Sequence, residues 1–300
     1  MALTFCMMGI DEILSKLEKA NGWLKRWGVN TSQARFNEVL DLSQIIIDHQ
    51  KRNNIQELLD SYDNLRLIYA LSEGFAFAEI YEAFKDEKNH ILHKSKLKKM
   101  IGGKFFSWDE PPIGDNARNT QFELETAAKF KKVGMEIVGL DDVDFVFEGV
   151  KFNVQCKRLH SQERVSDNFN DAAYQFGKKM MVNPGIKGII CLSIDKLLGK
   201  ENEKIPLPVK DGQEIGLTLG QLSDAFTNNY RTLWQSLLNT NILGILVFVH
   251  KVARMKEEPH DLLTICKNID LVTMSQNNLK TNDRNLVRKL ANKIGATREL

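Results

Sequence analysis

Asp144, Gln155 and Lys157 are the residues whose types and spacing can act together chemically. Asp144 opens the run Asp-Phe-Val-Phe, Glu148-Gly149 supplies a turn, and Val150 to Cys156 leads on through Gln155-Cys156-Lys157-Arg158. Two short β-rich runs about a glycine-containing turn predict a hairpin. Side chains alternate along a strand, so Gln155 and Lys157 share one face while Cys156 and Arg158 take the other. An acid, an amide and a lysine at one end of a sheet suit hydrolysis of a phosphodiester. That reaction needs a hard cation held by oxygens, a placed water, and positive charge near the developing oxyanion. The expected roles follow. Asp144 anchors Mg2+ or Mn2+, Gln155 adds a neutral amide oxygen, the Cys156 carbonyl points to the same ion, and Lys157 orients or helps deprotonate the water.

Several elements must position these groups. Phe122, Thr126, Ala127, Phe130 and Val133 recur at helical spacing, and Gly134 ends that helix before the hairpin. Beyond the hairpin, Phe169, Ala172, Ala173, Phe176 and Met180 lie on one face of a helix over Asn168 to Met181, with Gln175 at its edge. Ile189 to Ile194 and Ile242 to His250 are nearly unbroken apolar runs, expected of buried strands. A helix over Leu217 to Leu238 separates them, and Leu262 to Met274 suggests strand at the sheet edge. This order predicts an α/β fold, a mixed sheet flanked by helices.

In this arrangement Asp144 followed by Gln155-x-Lys157 resembles the PD-(D/E)xK, or restriction-endonuclease-like, nuclease superfamily over Asn119 to His250. Gln155 stands where the usual acid would be, as in the Mrr-like branch, and Val143 stands in place of the proline. The amide brings oxygen without charge, so it attracts a dication less strongly. Members open the core with a helix bearing a glutamate, and Glu123-Leu124-Glu125 offers two. At about 100° per residue Glu123 falls within the apolar arc, whereas Glu125 falls opposite it beside Lys129 as an ordinary exposed pair. Glu123 is therefore the expected site residue.

The resemblance implies a metal-dependent DNA endonuclease of restriction or mobile-element defence, with RNA not excluded as a substrate and a homodimer suited to double-strand cutting. A nucleic-acid-binding member that does not cut, and a structural partner protein, are the rivals. Arg158, His160, Gln175 and the lysines Lys96 and Lys99 are candidates for contact with the nucleic acid. For the basic run His93 to Met100, and for the basic tail from Lys280, a solvated helix face is the commoner explanation.

Residues 1–105 read as a helical region and 106–300 as the nuclease-like domain, divided near Gly102-Gly103 and Pro111-Pro112. A net charge of +2 gives no global attraction to nucleic acid, so any binding surface must be local. Four scattered cysteines suggest a cytoplasmic, reduced protein. No apolar stretch suits a membrane span. Phosphate-loop, nucleophile-elbow and zinc-helix motifs are absent from the sequence.

Overall fold

The computed structural model describes residues 5–32, 34–52, 54–61, 64–87, 92–105, 116–198, 207–209, 212–238, 241–257, 260–273, 280–295 and 298–299. A first strand, β1 (Phe5–Gly9), leads into five helices: α1 (Ile10–Arg26), α2 (Arg35–Lys51), α3 (Ile55–Ser61), α4 (Asn64–Phe84) and α5 (Lys94–Met100). Then come α6 (Asn116–Lys132), β2 (Glu136–Gly139), β3 (Val143–Phe147), β4 (Val150–Arg158), α7 (Val165–Val182) and β5 (Lys187–Ser193). The chain continues through β6 (Leu207–Val209), α8 (Gly212–Asn229), α9 (Arg231–Leu237), β7 (Ile242–Glu257), β8 (His260–Thr273), α10 (Thr281–Ile294) and β9 (Arg298–Glu299). Pro111, Pro112 and Pro206, expected in loops, lie outside the described residues.

The strands form one mixed sheet in the order β1-β8-β7-β5-β4-β3-β2, with β6 on β7 and β9 on β8. β4, β5 and β7 run parallel to one another, whereas β2, β3 and β4 form an antiparallel meander. The protein is thus α/β, as its alternating elements predict. β5 shows why a central strand loses polar alternation. Ile189 and Cys191 enter the apolar cluster on one face, while Ile190 and Leu192 enter the cluster on the other.

On the first face, α1, α2, α4, α6 and α10 contribute to a cluster that includes Phe145, Phe152 and Phe248. Phe130 stacks on Phe145 at 4.3 Å, and Phe145 on Phe152 at 4.9 Å, so α6 is pinned over the β3–β4 hairpin. On the second face, α7, α8 and α9 cover Ile190, Leu192, Ile245 and Val247. The division expected near residue 105 falls between α5 and α6, yet buried side chains from both stretches belong to the first cluster.

Two expectations need correction. The strand expected at the sheet edge, β8, is flanked by β7 and β1, because residues 5–9 pair with residues 264–268. Five residues just before a helix carry too short a pattern to announce a strand. Glu125, expected on an exposed face, is 4% exposed, because its carboxylate meets His250 of β7 and Lys267 of β8, with α4 packed against α6. The periodicity of a helix packed on two sides no longer separates core from solvent.

Candidate functional site

The β3–β4 turn fixes the site. Glu148 and Gly149 have φ of 52° and 74°, the left-handed pair that a two-residue hairpin turn requires. Counting outward from it, Phe147 faces Val150, Phe145 faces Phe152, Asp144 faces Asn153 and Val143 faces Val154. The next rung sets Asp142 against Gln155. Gln155 Nε2 accordingly donates to Asp142 Oδ2 at 3.0 Å and to Asn153 Oδ1 at 2.6 Å. Asn153 Nδ2 donates to Asp144 Oδ1 at 2.7 Å. Asp144 therefore lies two rungs from Gln155 and reaches it through Asn153, whose side chain is fully buried. Of the expected three, Asp144 and Gln155 belong to a hydrogen-bonded chain with two members the sequence reading missed, Asn153 and Asp142, whereas Lys157 lies outside it, against Gln175 and Asp171. Had the two-residue turn been used to set register, residue 142 would have emerged as the partner of 155.

Lysines surround this chain on the α7 face. Lys179 Nζ lies 3.1 Å from Asp142, and Lys151 Nζ lies 3.7 Å from Asp144. Lys157 donates to Gln175 Oε1 at 3.1 Å and lies 3.9 Å from Asp171. Gln175, expected at the edge of its helix, thus holds the ammonium beside the site. Cys156 turns to the other face, where burial and then neighbouring Cys191 push its thiol well above the usual range. Its side chain stays protonated and offers no nucleophile at neutral pH.

Glu123 approaches the same rim from α6. Burial raises its carboxyl above the usual range, Lys96 pulls it down, and the negative charge of Asp142 pushes it up again. Lys96 Nζ sits 2.9 Å from Glu123, and Lys99 adds to the positive field there. The Lys96 side chain is 14% exposed, so it is held by a carboxylate and does not project as a solvated face.

A second polar constellation was not foreseen. On the α6 side of the sheet, Lys267 Nζ lies 2.9 Å from Glu79 and 2.6 Å from Glu125. Glu125 also takes a hydrogen bond from His250 Nε2 at 2.8 Å, and His250 Nδ1 meets Asp195 at 3.0 Å. Burial alone would neutralise His250, but Glu125 and Asp195 outweigh it and lift its pKa to about 10. Burial would likewise raise Glu125, yet Lys267 and His250 bring it to about 2. Each charge is compensated by partners far away in sequence, so no local spacing could reveal the chain.

His250, Asp195 and Glu125 line a cavity of about 110 Å3 beyond the carboxyl ends of β4 and β5. Arg118, Arg158, Lys196 and Lys251 line it too, together with Glu73. Glu73 is held by Arg35 at 2.7 Å and by Arg118. Burial would raise its carboxyl, but Arg118 and Arg35 hold it below the usual range. His160 lies behind Lys196, whose Nζ is 2.8 Å from the imidazole Nδ1. Burial, then Lys196, Arg158 and Arg164, push His160 down to about 4, so a neutral ring accepts a hydrogen bond from the Lys196 ammonium.

The donors for a divalent ion at the β3–β4 rim are oxygens: the carboxylates of Asp142 and Glu123, with Asp144 two rungs away. Among the described residues no three His, Cys, Asp or Glu side chains are grouped for a metal. Magnesium is commonly held by only one or two carboxylates, with water completing its shell. Lys179 and Lys96 now supply the positive charge that a dication would bring to those two acids. Asp142 and Glu123 are the carboxylates that would hold such an ion. Turning the Gln155 amide about its broad terminal torsion would exchange Nε2 for Oε1 toward Asp142.

Comparison with protein families, curated proteins and solved structures finds no match to this chain. Among the described residues no helix is long and apolar enough to cross a membrane.

Proposed function

We propose that the protein is a metal-dependent endonuclease that hydrolyses phosphodiester bonds in DNA, a restriction-endonuclease-like enzyme acting in the cytoplasm in defence against foreign DNA. The observation that carries this reading is the approach of Glu123, Asp142 and Gln155 to one rim of the sheet, from a helix, a turn and a strand, with Lys157 two residues beyond Gln155 on the same strand. Asp142 and Gln155 would hold Mg2+ or Mn2+, with Asp144 orienting Gln155 through Asn153. The ion would polarise the phosphate and stabilise charge on its oxygens.

The chain's own residues do the rest. Lys157, steadied by Gln175, places a water for in-line attack and stabilises the hydroxide as its proton leaves. Glu123, raised in pKa by burial and by Asp142, is suited to receive that proton. Lys179 and Lys151 border the same face and can meet the phosphates of a bound strand.

Plasmid cleavage in Mg2+ or Mn2+ tests the reading, with Lys157→Ala expected to lose roughly 10²–10⁴-fold in rate. No cutting by the wild type in either metal, or equal cutting by Lys157→Ala, would end it. A second reading has its own support: Lys179 already occupies the Asp142 carboxylate, and Gln155 lacks charge. A protein that grips DNA without cutting it predicts an inert wild type and a Gln155→Glu variant that gains metal-dependent cleavage.

A further inference from the structure

The buried stripe of α8 runs at four-residue spacing through Ile215, Leu219, Ser223 and Thr227. The first two enter the apolar cluster of the sheet's second face, whereas the last two are hydroxyl side chains, 0% and 3% exposed. α8 packs on β8, where Val272 joins the same cluster. The alternation that turns Val272 to this face also turns Asp270 and Asn268 to it, 8% and 0% exposed. Polar interruptions in two apolar stripes therefore lie against each other.

Asn268 Nδ2 donates to Asp270 Oδ2 at 2.8 Å. Burial raises the Asp270 carboxyl, and only Ser223 and Asn268 draw it down, so among the described residues no cation offsets its charge. Three oxygens along this contact lack hydrogen-bond partners: Ser223 Oγ, Thr227 Oγ1 and Asn268 Oδ1. A helical hydroxyl can bond the carbonyl one turn back, as Ser43, Thr120 and Thr218 do at 2.8, 2.8 and 2.9 Å. Ser223 and Thr227 do not. Turning over the Asn268 amide offers no cure, because it would set Oδ1 against the carboxylate. Buried oxygens left in this way call for an ion or a water.

We propose that Asp270, Asn268 Oδ1 and Ser223 Oγ, with Thr227 one turn along, hold a monovalent metal cation, Na+ or K+, between α8 and β8. Charge decides the class of ligand. One positive charge balances the single carboxylate, whereas a dication would leave a net charge in an apolar interior. A water would meet the hydroxyls but leave the carboxylate uncompensated. The donors are all hard oxygens, which suit an alkali cation and not a transition metal. The site lies beneath α8 and stands whether or not the rim at β3 and β4 hydrolyses DNA.

Urea unfolding of the full chain tests it at about pH 8, well above the ordinary carboxylate range. NaCl and KCl are compared with N-methylglucamine chloride at equal ionic strength. The midpoint should rise and level off with the metal cation, because a ligand bound only by the folded chain stabilises it by mass action. N-methylglucamine, too large to enter, should give no such rise. Asp270→Asn, nearly equal in shape, should abolish the dependence. Ser223→Ala keeps the charge and removes one ligand, so it should weaken the apparent affinity about tenfold.

Ser223→Ala carries the test if Asp270→Asn does not fold. Equal midpoints in all three salts mean that a proton or a water serves Asp270, and they overturn the site. A cation effect undiminished in either variant places the ion elsewhere and overturns it as well. Where the effect is present and lost as expected, the salt that acts at the lower concentration identifies the ion.

Discussion

On the α7 face of β4, Asp144, Asn153, Gln155 and Asp142 form a chain of hydrogen bonds whose ends meet partly exposed lysines. On the α6 side, Glu79, Lys267, Glu125, His250 and Asp195 form a chain of ions that is largely buried. The first chain mixes neutral amides with acids at the rim, so a group can be exchanged at modest cost to the fold. In the second each charge depends on its neighbours, because an ion left alone in an apolar interior costs several kcal/mol. Adaptable chemistry and fixed architecture thus lie on opposite faces of one sheet.

The contrast can be broken most forcefully at Lys267. Lys267→Met leaves Glu79 and Glu125 facing each other without their shared ammonium, and stability should fall by about 3–5 kcal/mol in urea unfolding. A loss below about 1 kcal/mol would mean that the inner chain is no more essential than a surface pair.

The outer chain is sharpened by comparing its two aspartates. Asp142→Asn is expected to abolish metal-dependent cleavage, and Asp144→Asn to lower it roughly 10–100-fold, as a partner acting through another residue. Neither should shift the unfolding midpoint greatly. The reverse order of rates would restore Asp144 as the primary acid.

Acid and base should act on the inner chain from both sides. Glu125 falls from an ordinary 4.5 to about 2, so its contribution is complete above 4.5 and is lost as pH drops toward 2. His250 rises from 6.5 to about 10, so its contribution is complete below 6.5 and fades as pH climbs through 10. Urea midpoints measured across pH should show both limbs, and His250→Gln should flatten the alkaline one. A wild-type profile that is level from pH 6.5 to 10 would contradict the imidazolium assignment.

The smallest effect is at the hairpin turn. Gly149→Ala meets no atom within 4 Å but must hold φ near 74°, and should cost roughly 1–2 kcal/mol. An unchanged midpoint would show that the turn tolerates another geometry, and with it another register for Asp142.

What the sequence made legible follows the range of each signal. The hairpin, β5 and the buried face of α7 are written in neighbouring residues at fixed periods, and they were found. Asp142 was within reach through the two-residue turn but was passed over for Asp144, which begins the more regular strand. Glu125 was misjudged, since helical periodicity knows nothing of α4 packed behind it. Lys267 and His250 stand far along the chain from Glu125, and only the folded sheet brings them together.

The pairing of β1 with β8 has a consequence for how the chain is made. Residues 5–9 leave the ribosome well before their partners at 264–268, more than 250 residues later. The β1–β8 edge cannot close during synthesis until residues 264–268 have emerged, and such long-range pairing slows folding. Until then β8 has an open side prone to join a foreign strand, so deleting the first nine residues should favour aggregation over loss of helix.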